Sequence, residues 1–226
     1  MTLLKVRKTN FRGNPNIGLY LYVTDKLCLA GMEVPDEEIP KLQEIFGVPV
    51  HRVSIAGTGL LGVFLTGYEN KVLVPGIIFA RELAALKALG LDVYIIDTTF
   101  TALGNNILCS PKGLLVSTDY DADERAQIEE ALGLPSKQLG ISAEITVIGS
   151  AAVATERGCL IHKAAQDFEV EMVSSTLGVP IARGTINMGS GFVKSGIAAN
   201  SFGMVVGDTS GGPEIVNAEQ ALRGEE

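Results

Sequence analysis

The chain has no tryptophan, two histidines and three cysteines among its 226 residues, and only 19% of it is charged. Three cysteines are an odd number without disulfide-type spacing, which fits a reducing, cytoplasmic setting. Cys28, Cys109 and Cys159 sit among apolar or small neighbours, where a free thiol acts as a small hydrophobe. His51 and His162 lack ligand spacing to each other or to a cysteine, so they read as structural residues near strand ends, and no metal site is expected. The net charge of −8 argues against a surface built for non-specific nucleic-acid binding. Although 46% of the residues are hydrophobic, no apolar run approaches the ~18–20 residues of a membrane helix. The longest candidates, such as Val72 to Val74 and Leu114 to Val116, have strand length. The N-terminus carries no basic–apolar–small signal pattern. The apolar residues are therefore expected in many short elements of one packed core, without a membrane partner.

What is abundant is repetition. Four segments end in a large apolar residue, a glycine and another apolar residue: Phe46-Gly47-Val48, Leu89-Gly90-Leu91, Leu132-Gly133-Leu134 and Leu177-Gly178-Val179. These glycines are 43, 43 and 45 residues apart, and Gly224 follows 46 residues later. Each reads as a helix stop, because glycine enters the left-handed region cheaply. Apolar triplets beginning at Leu27, Val72, Leu114, Cys159 and Met204 recur at 45, 42, 45 and 45 and read as buried strands. A third marker is a glycine near each hairpin start: Gly18, Gly62, Gly104, Gly149 and Gly191.

Five units of about 45 residues fill a single domain, with approximate repeats 1–47, 48–90, 91–133, 134–178 and 179–226. Each unit is expected to run strand, glycine turn, strand, loop, helix, glycine, strand. Helical apolar faces are expected at Ile39, Leu42 and Phe46, at Phe79, Leu83 and Leu86, and at Phe168 and Met172. The third helix opens on a capping-box pattern, Asp121 to Glu124, and the last on Pro213. One unit cannot bury both a sheet and a helix face, whereas units stacked around an axis can, and a closed ring hides its sheet edges. The expected fold class is therefore an α/β five-bladed propeller. The last helix has no strand after it, so the N-terminal segment Leu3 to Arg7 is expected to supply that strand and close the ring. A WD-type β-propeller is excluded by the absent tryptophan and by the helix in every unit. An open solenoid would need polar capping repeats.

Several motifs invite chemistry. Gly57-Thr58-Gly59-Leu60-Leu61-Gly62 matches G-x-G-x-x-G, but the β-rich, glycine-broken stretch after it does not supply the helix a dinucleotide site needs. It reads as a tight turn, and no cofactor is expected. Lys5, Arg7, Lys8 and Arg12 crowd the N-terminus, either as an RNA-facing patch or as solvated strand charge. The expected ring is similar in fold to guanidine-modifying enzymes built on fivefold α/β rings, and Cys109 is the one cysteine outside the apolar triplets, so an enzyme of that type using Cys109 as nucleophile stands as the alternative to a binding protein. Small polar residues gather near the repeat glycines, among them Asn14, Asn16, Ser54, Thr58, Asn105, Asn106, Ser150, Asn187, Ser190 and Asn200. Turn chemistry accounts for most of them. If the repeats superpose, these residues cluster at one end of the ring.

Asn16-Ile17-Gly18, Ser54-Ile55-Ala56-Gly57, Ala102-Leu103-Gly104-Asn105, Ile148-Gly149-Ser150 and Gly184-Thr185-Ile186-Asn187-Met188-Gly189-Ser190 resemble, in order and spacing, the signatures of the translation initiation factor 6 family. The resemblance covers essentially the whole chain, and the start Phe11-Arg12-Gly13-Asn14-Pro15-Asn16 is similar to the archaeal branch. It implies the pentein architecture, a monomer without catalytic activity, and binding to the joining face of the large ribosomal subunit. There it implies contact with a ribosomal protein beside the sarcin–ricin loop, with rRNA as a further candidate contact. Bound in that place, such a factor blocks the small subunit and supports large-subunit biogenesis. The residues expected to form the ribosome-binding face are Asn16, Gly18, Gly62, Asn105, Asn106, Ser150, Asn187 and Ser190.

Overall fold

The computed structural model describes residues 3–142 and 144–224, so the extreme ends of the first and last repeats lie outside it. Five three-stranded sheets stand around an axis, each with an antiparallel and a parallel pair. Blade 1 holds β2 (Leu21–Val23), β3 (Cys28–Ala30) and, after helix α1 (Ile39–Phe46), β4 (Val50–Arg52). Blade 2 holds α2 (Leu61–Phe64), β5 (Thr66–Tyr68), β6 (Lys71–Pro75), α3 (Ala80–Ala88) and β7 (Asp92–Ile96). Blade 3 holds α4 (Leu103–Asn106), β8 (Ile107–Ser110), β9 (Gly113–Val116), α5 (Ala122–Leu132) and β10 (Ser136–Gln138). Blade 4 holds α6 (Ile148–Ala151), β11 (Ala152–Ala154), β12 (Cys159–His162), α7 (Asp167–Leu177) and β13 (Ile181–Gly184). Blade 5 holds α8 (Val193–Gly196), β14 (Ile197–Ala199), β15 (Gly203–Gly207) and α9 (Gly212–Arg223). Its third strand is β1 (Lys5–Thr9), parallel to β15 from Lys5–Gly203 to Thr9–Gly207. The N-terminus therefore closes the ring, as its lack of a helix of its own predicts.

The sheets also redraw the repeat. The strand after each helix-ending glycine pairs within the blade it follows, so a blade runs past the glycine, and a cut at Gly47 would separate β4 from β3. The helix stops are as the pattern predicts, with Gly47, Gly90, Gly133, Gly178 and Gly224 all at φ between 64° and 82°. The capping box at α5 is also present: Glu124 N–H donates to Asp121 Oδ1 at 2.8 Å, and Asp121 N–H donates to Glu124 Oε2 at 3.0 Å. The helix faces are met only in part. Leu42, Phe46 and Leu86 are fully buried, whereas Phe79 and Phe168 point outward, 46% and 58% exposed. Phe79 is the N-cap of α3 and Phe168 lies in the first turn of α7, where the helix end leaves the core.

The stretches around the repeat glycines are not strands. Each is a single helical turn, one 3₁₀ at Ile17–Tyr20 and four α, that delivers the chain to the innermost strand. These turns touch one another in sequence around the axis. The core lies between blades. Leu73 of blade 2 packs with Leu103, Leu114 and Ile128 of blade 3, and Tyr22 and Leu29 of blade 1 pack with Val72, Leu86 and Leu91 of blade 2. At the closure, Ala198 and Val205 of blade 5 join Ile17, Leu42 and Phe46 of blade 1. Burying a leucine or phenylalanine is worth about 1.5–3 kcal/mol. A lone blade would leave these contacts unmade.

Candidate functional site

The end of the ring where the one-turn helices begin carries a set of tight turns. The chain reverses between Phe11 and Asn14, Ile55 and Thr58, Ile141 and Ile145, and Ile186 and Ser190. Arg12, Ala56, Ser142, Asn187 and Met188 take positive φ there, which short or turn-stabilised residues tolerate best. A glutamate at the start of each long helix holds these segments down. Glu82 accepts from Ser54 Oγ at 2.7 Å, Ala56 N–H at 2.8 Å and Gly57 N–H at 2.9 Å. Glu214 does the same for Thr185 Oγ1, Met188 N–H and Gly189 N–H, and Glu169 for Ser142 N–H. Glu124 accepts from Thr98 Oγ1, and Glu38 takes Arg7 and Thr9 of β1. Each glutamate thus reaches from its own helix to a segment of the preceding blade.

Burial opposes the charge of Glu82, but the N–H groups of Gly57, Phe79 and Ala56 and the Ser54 hydroxyl outweigh it and hold the carboxyl below its ordinary range. Glu214 is lowered in the same way. Desolvation likewise opposes the charge of Glu38, which Arg7 and Lys41 nevertheless keep low. Sequence reasoning missed this device except at Asp121–Glu124. The signal was available: Glu38, Glu82, Glu124, Glu169 and Glu214 recur at 44, 42, 45 and 45 residues.

The expected face residues fall into three groups. Asn16 and Asn187 come together at the seam between blades 5 and 1. Asn187 Nδ2 donates to Pro15 O at 3.0 Å and contacts Asn16 Oδ1 at 3.4 Å, while Thr209 and Ser210 hydroxyls donate to Asn187 Oδ1. Asn105 and Ser150 occupy equivalent third positions of α4 and α6 and are partly exposed. Gly18, Gly62 and Asn106 are buried and present no side chain to a partner. A Cβ on Gly62 would lie 2.0 Å from Gly18 O, and one on Gly104 would lie 2.3 Å from Gly62 O. These glycines set the close approach of neighbouring blades.

The fifth marker was misregistered. Gly18, Gly62, Gly104 and Gly149 are each the second residue of a helical turn, and in α8 that residue is Lys194, not Gly191. By the same register Ser195, rather than Ser190, is the counterpart of Asn105 and Ser150. Its hydroxyl lies 3.3 Å from Asn16 Oδ1. Ser190 belongs to the tight turn, where its backbone pairs with Ile186. Exposed apolar residues rim this end, with Met188 82%, Phe79 46% and Phe192 43% exposed. Of the N-terminal cations, Arg7 is paired with Glu38, Lys5 Nζ donates to Glu44 O, and Lys8 and Arg12 are exposed.

The chemistry-bearing motifs resolve differently. The G-x-G-x-x-G stretch leads into α2, which ends after four residues and passes into a strand, so no helix N-terminus waits for a pyrophosphate. Cys28 and Cys159 are fully buried strand residues. Burial raises both thiols, Cys159 to about 12. Cys109 lies in β8 on the wall of an axial channel. There desolvation raises its pKa against the lowering pull of Thr66, Lys194 and Gly67. No histidine or carboxylate lines its inner chamber among the described residues, while the wider mouth that Cys109 also borders carries Asp25, Glu69 and Glu156. His162 accepts from Ala164 N–H through Nδ1 at 3.0 Å and packs edge-on to Phe192, a structural placement.

A family model described as the eIF-6 family matches residues 6–221. The chain belongs to the eIF-6 family. Translation initiation factor 6 of Pyrococcus abyssi is 35% identical over 97% of this chain and 99% of that protein. Its counterpart from Thermococcus onnurineus is 36% identical over 97% and 98%. That from Methanococcus vannielii is 34% identical over 95% and 97%. Among solved structures, the N-terminal domain of ArgZ, an arginine dihydrolase from the ornithine-ammonia cycle in cyanobacteria, aligns with a TM-score of 0.49 at 12% identity. That alignment covers 73% of this chain and 68% of the domain. Within the eIF-6 match lie all five glutamates and every residue of the turn-bearing end. No helix among the described residues is long and apolar enough to cross a membrane.

Proposed function

We propose that this protein binds the joining face of the large ribosomal subunit in the cytoplasm and, by occupying it, keeps the small subunit from associating. It does this as a monomer and by steric exclusion, without catalytic turnover or a cofactor. The observation that carries the reading is the turn-bearing end itself, in a chain of the eIF-6 family. Asn105, Ser150 and Ser195 lie at one ring position, ringed by tight turns tied down by glutamates of the long helices. Such a surface needs little ordering on contact, and small residues let another macromolecule approach the backbone closely. The partner we assign is a ribosomal protein beside the sarcin–ricin loop, with exposed Met188 and Phe192 as apolar anchors. Lys8 and Arg12 would meet neighbouring rRNA phosphates. The same occupancy would support large-subunit biogenesis by holding immature subunits apart from the small subunit.

The test is co-sedimentation of the purified protein with separated subunits. Selective pelleting with large subunits and loss of subunit joining are expected. Asn105→Trp, Ser190→Trp and Met188→Asp should each weaken binding about tenfold or more with an unchanged melting temperature. Full binding by all three would remove this end as the docking face. Binding to neither subunit by the native protein would remove the function.

A further inference from the structure

Lys194 stands where four blades have glycine, and its side chain runs into the middle of the ring. There Nζ donates to Gly104 O across the axis at 2.5 Å, joining blade 5 to blade 3. The side chain borders a chamber of about 100 Å³ walled by the innermost strands, together with Tyr22, Thr66, Gly67 and Cys109. An ammonium carries three N–H donors, and Lys194 has one protein acceptor, Gly104 O. No carboxylate lines the chamber among the described residues.

The Cys109 thiol is not the missing counter-charge. Its sulfur lies 3.0 Å from Gly67 O, a contact only a protonated S–H can make, since a carbonyl cannot donate. Thr66 Oγ1 is likewise turned to an acceptor, Ile107 O. The Tyr22 hydroxyl, on a residue only 7% exposed, has no hydrogen-bond partner. Orphaned buried donors of this kind are costly to leave without an acceptor. Two open N–H groups and a phenol O–H therefore border one small space that holds positive charge and no base.

We infer that this chamber is a binding site for one small monovalent anion of halide size, held by the Lys194 ammonium and the Tyr22 hydroxyl. The chamber has room for such an ion together with ordered waters. The way in favours a singly charged ion over a doubly charged one. The chamber continues into a wider mouth at the hairpin end, bordered by Asp25, Glu69 and Glu156 against Lys26. That excess of acid repels a doubly charged phosphate or sulfate about twice as strongly as a singly charged ion. The bound ion would neutralise Lys194 inside the ring and tie blade 5 to blade 1 across the closure. The site is independent of ribosome binding and is tested on the free protein.

The experiment is diffraction from crystals of the full chain soaked in sodium bromide, using the bromine anomalous signal. A peak within hydrogen-bonding reach of Lys194 Nζ is expected. It should be lost in Lys194→Met, or in Lys194→Gln should the methionine variant fail to fold, and reduced severalfold in occupancy in Tyr22→Phe. In solution, bromide at tenfold over its Kd should raise the native melting temperature by about 3–5 °C relative to the Lys194 variant. No bromide in the channel, a peak that persists unchanged without the lysine, or an equal thermal shift in both proteins would overturn the assignment.

Discussion

At the scale of single residues, the molecule depends on positions where a side chain is missing. Gly18, Gly62, Gly104 and Gly149 let each inner turn press against carbonyls of its neighbour, so adding one methyl is a collision with backbone rather than with a flexible side chain. Gly62→Ala is expected to destabilise the protein by about 1–3 kcal/mol, read as a lower urea midpoint at unchanged slope. An unchanged midpoint would mean the inner ring is looser than its geometry. Lys194 breaks the same rule at the fifth position. Burial pushes its pKa down to about 8, so the exception is held at an electrostatic cost.

At the scale of elements, the glutamate in the first turn of α3, α5, α7 or α9 does two jobs. It caps its own helix and anchors a turn of the blade before. Glu82→Gln keeps the shape but loses the charge-assisted bonds to Gly57, Phe79, Ala56 and Ser54. A loss of about 1–3 kcal/mol at neutral pH is expected. Because the folded carboxyl is held below its ordinary 4.5, the unfolded chain takes up its proton first as pH falls. The native advantage is thus complete above that value and shrinks as pH drops through the folded pKa. The stability gap between native and Glu82→Gln protein, followed by denaturant melts from pH 7 to pH 3, should close on the acid side. A constant gap would assign the effect to packing.

At the scale of the whole molecule, stability depends on closure. β1 covers the edge of β15, and Leu4 joins a core cluster shared by blades 4 and 5. Arg7 and Thr9 also supply the partners of Glu38. Removing residues 1–9 should expose the β15 edge and lower the melting temperature by more than about 10 °C, with aggregation through that edge. A truncated chain that melts with the native one would show that the ring is held without its latch. The paired blades also explain why repeats of this size occur as a closed set, since each apolar cluster is assembled from two neighbours.

The sequence alone determined the period, the number of units, the helix stops and the N-terminal closing strand. These follow from short-range rules: glycine after a helix, apolar triplets in strands, and a unit too small to bury its own faces. The eIF-6 resemblance was legible in the same way, because its motifs are contiguous. Tertiary structure alone decided which strand belongs to which blade, because a parallel partner is chosen by packing and not by neighbours in the chain. It also turned the marker glycines inward. Gly18 and Gly62 look like turn residues until the adjacent blade is in place, and only the superposed turns show that Lys194 and Ser195 occupy the fifth register. The Asn16–Asn187 contact and the chamber around Lys194 join residues far apart in sequence. They exist only because the ring closes.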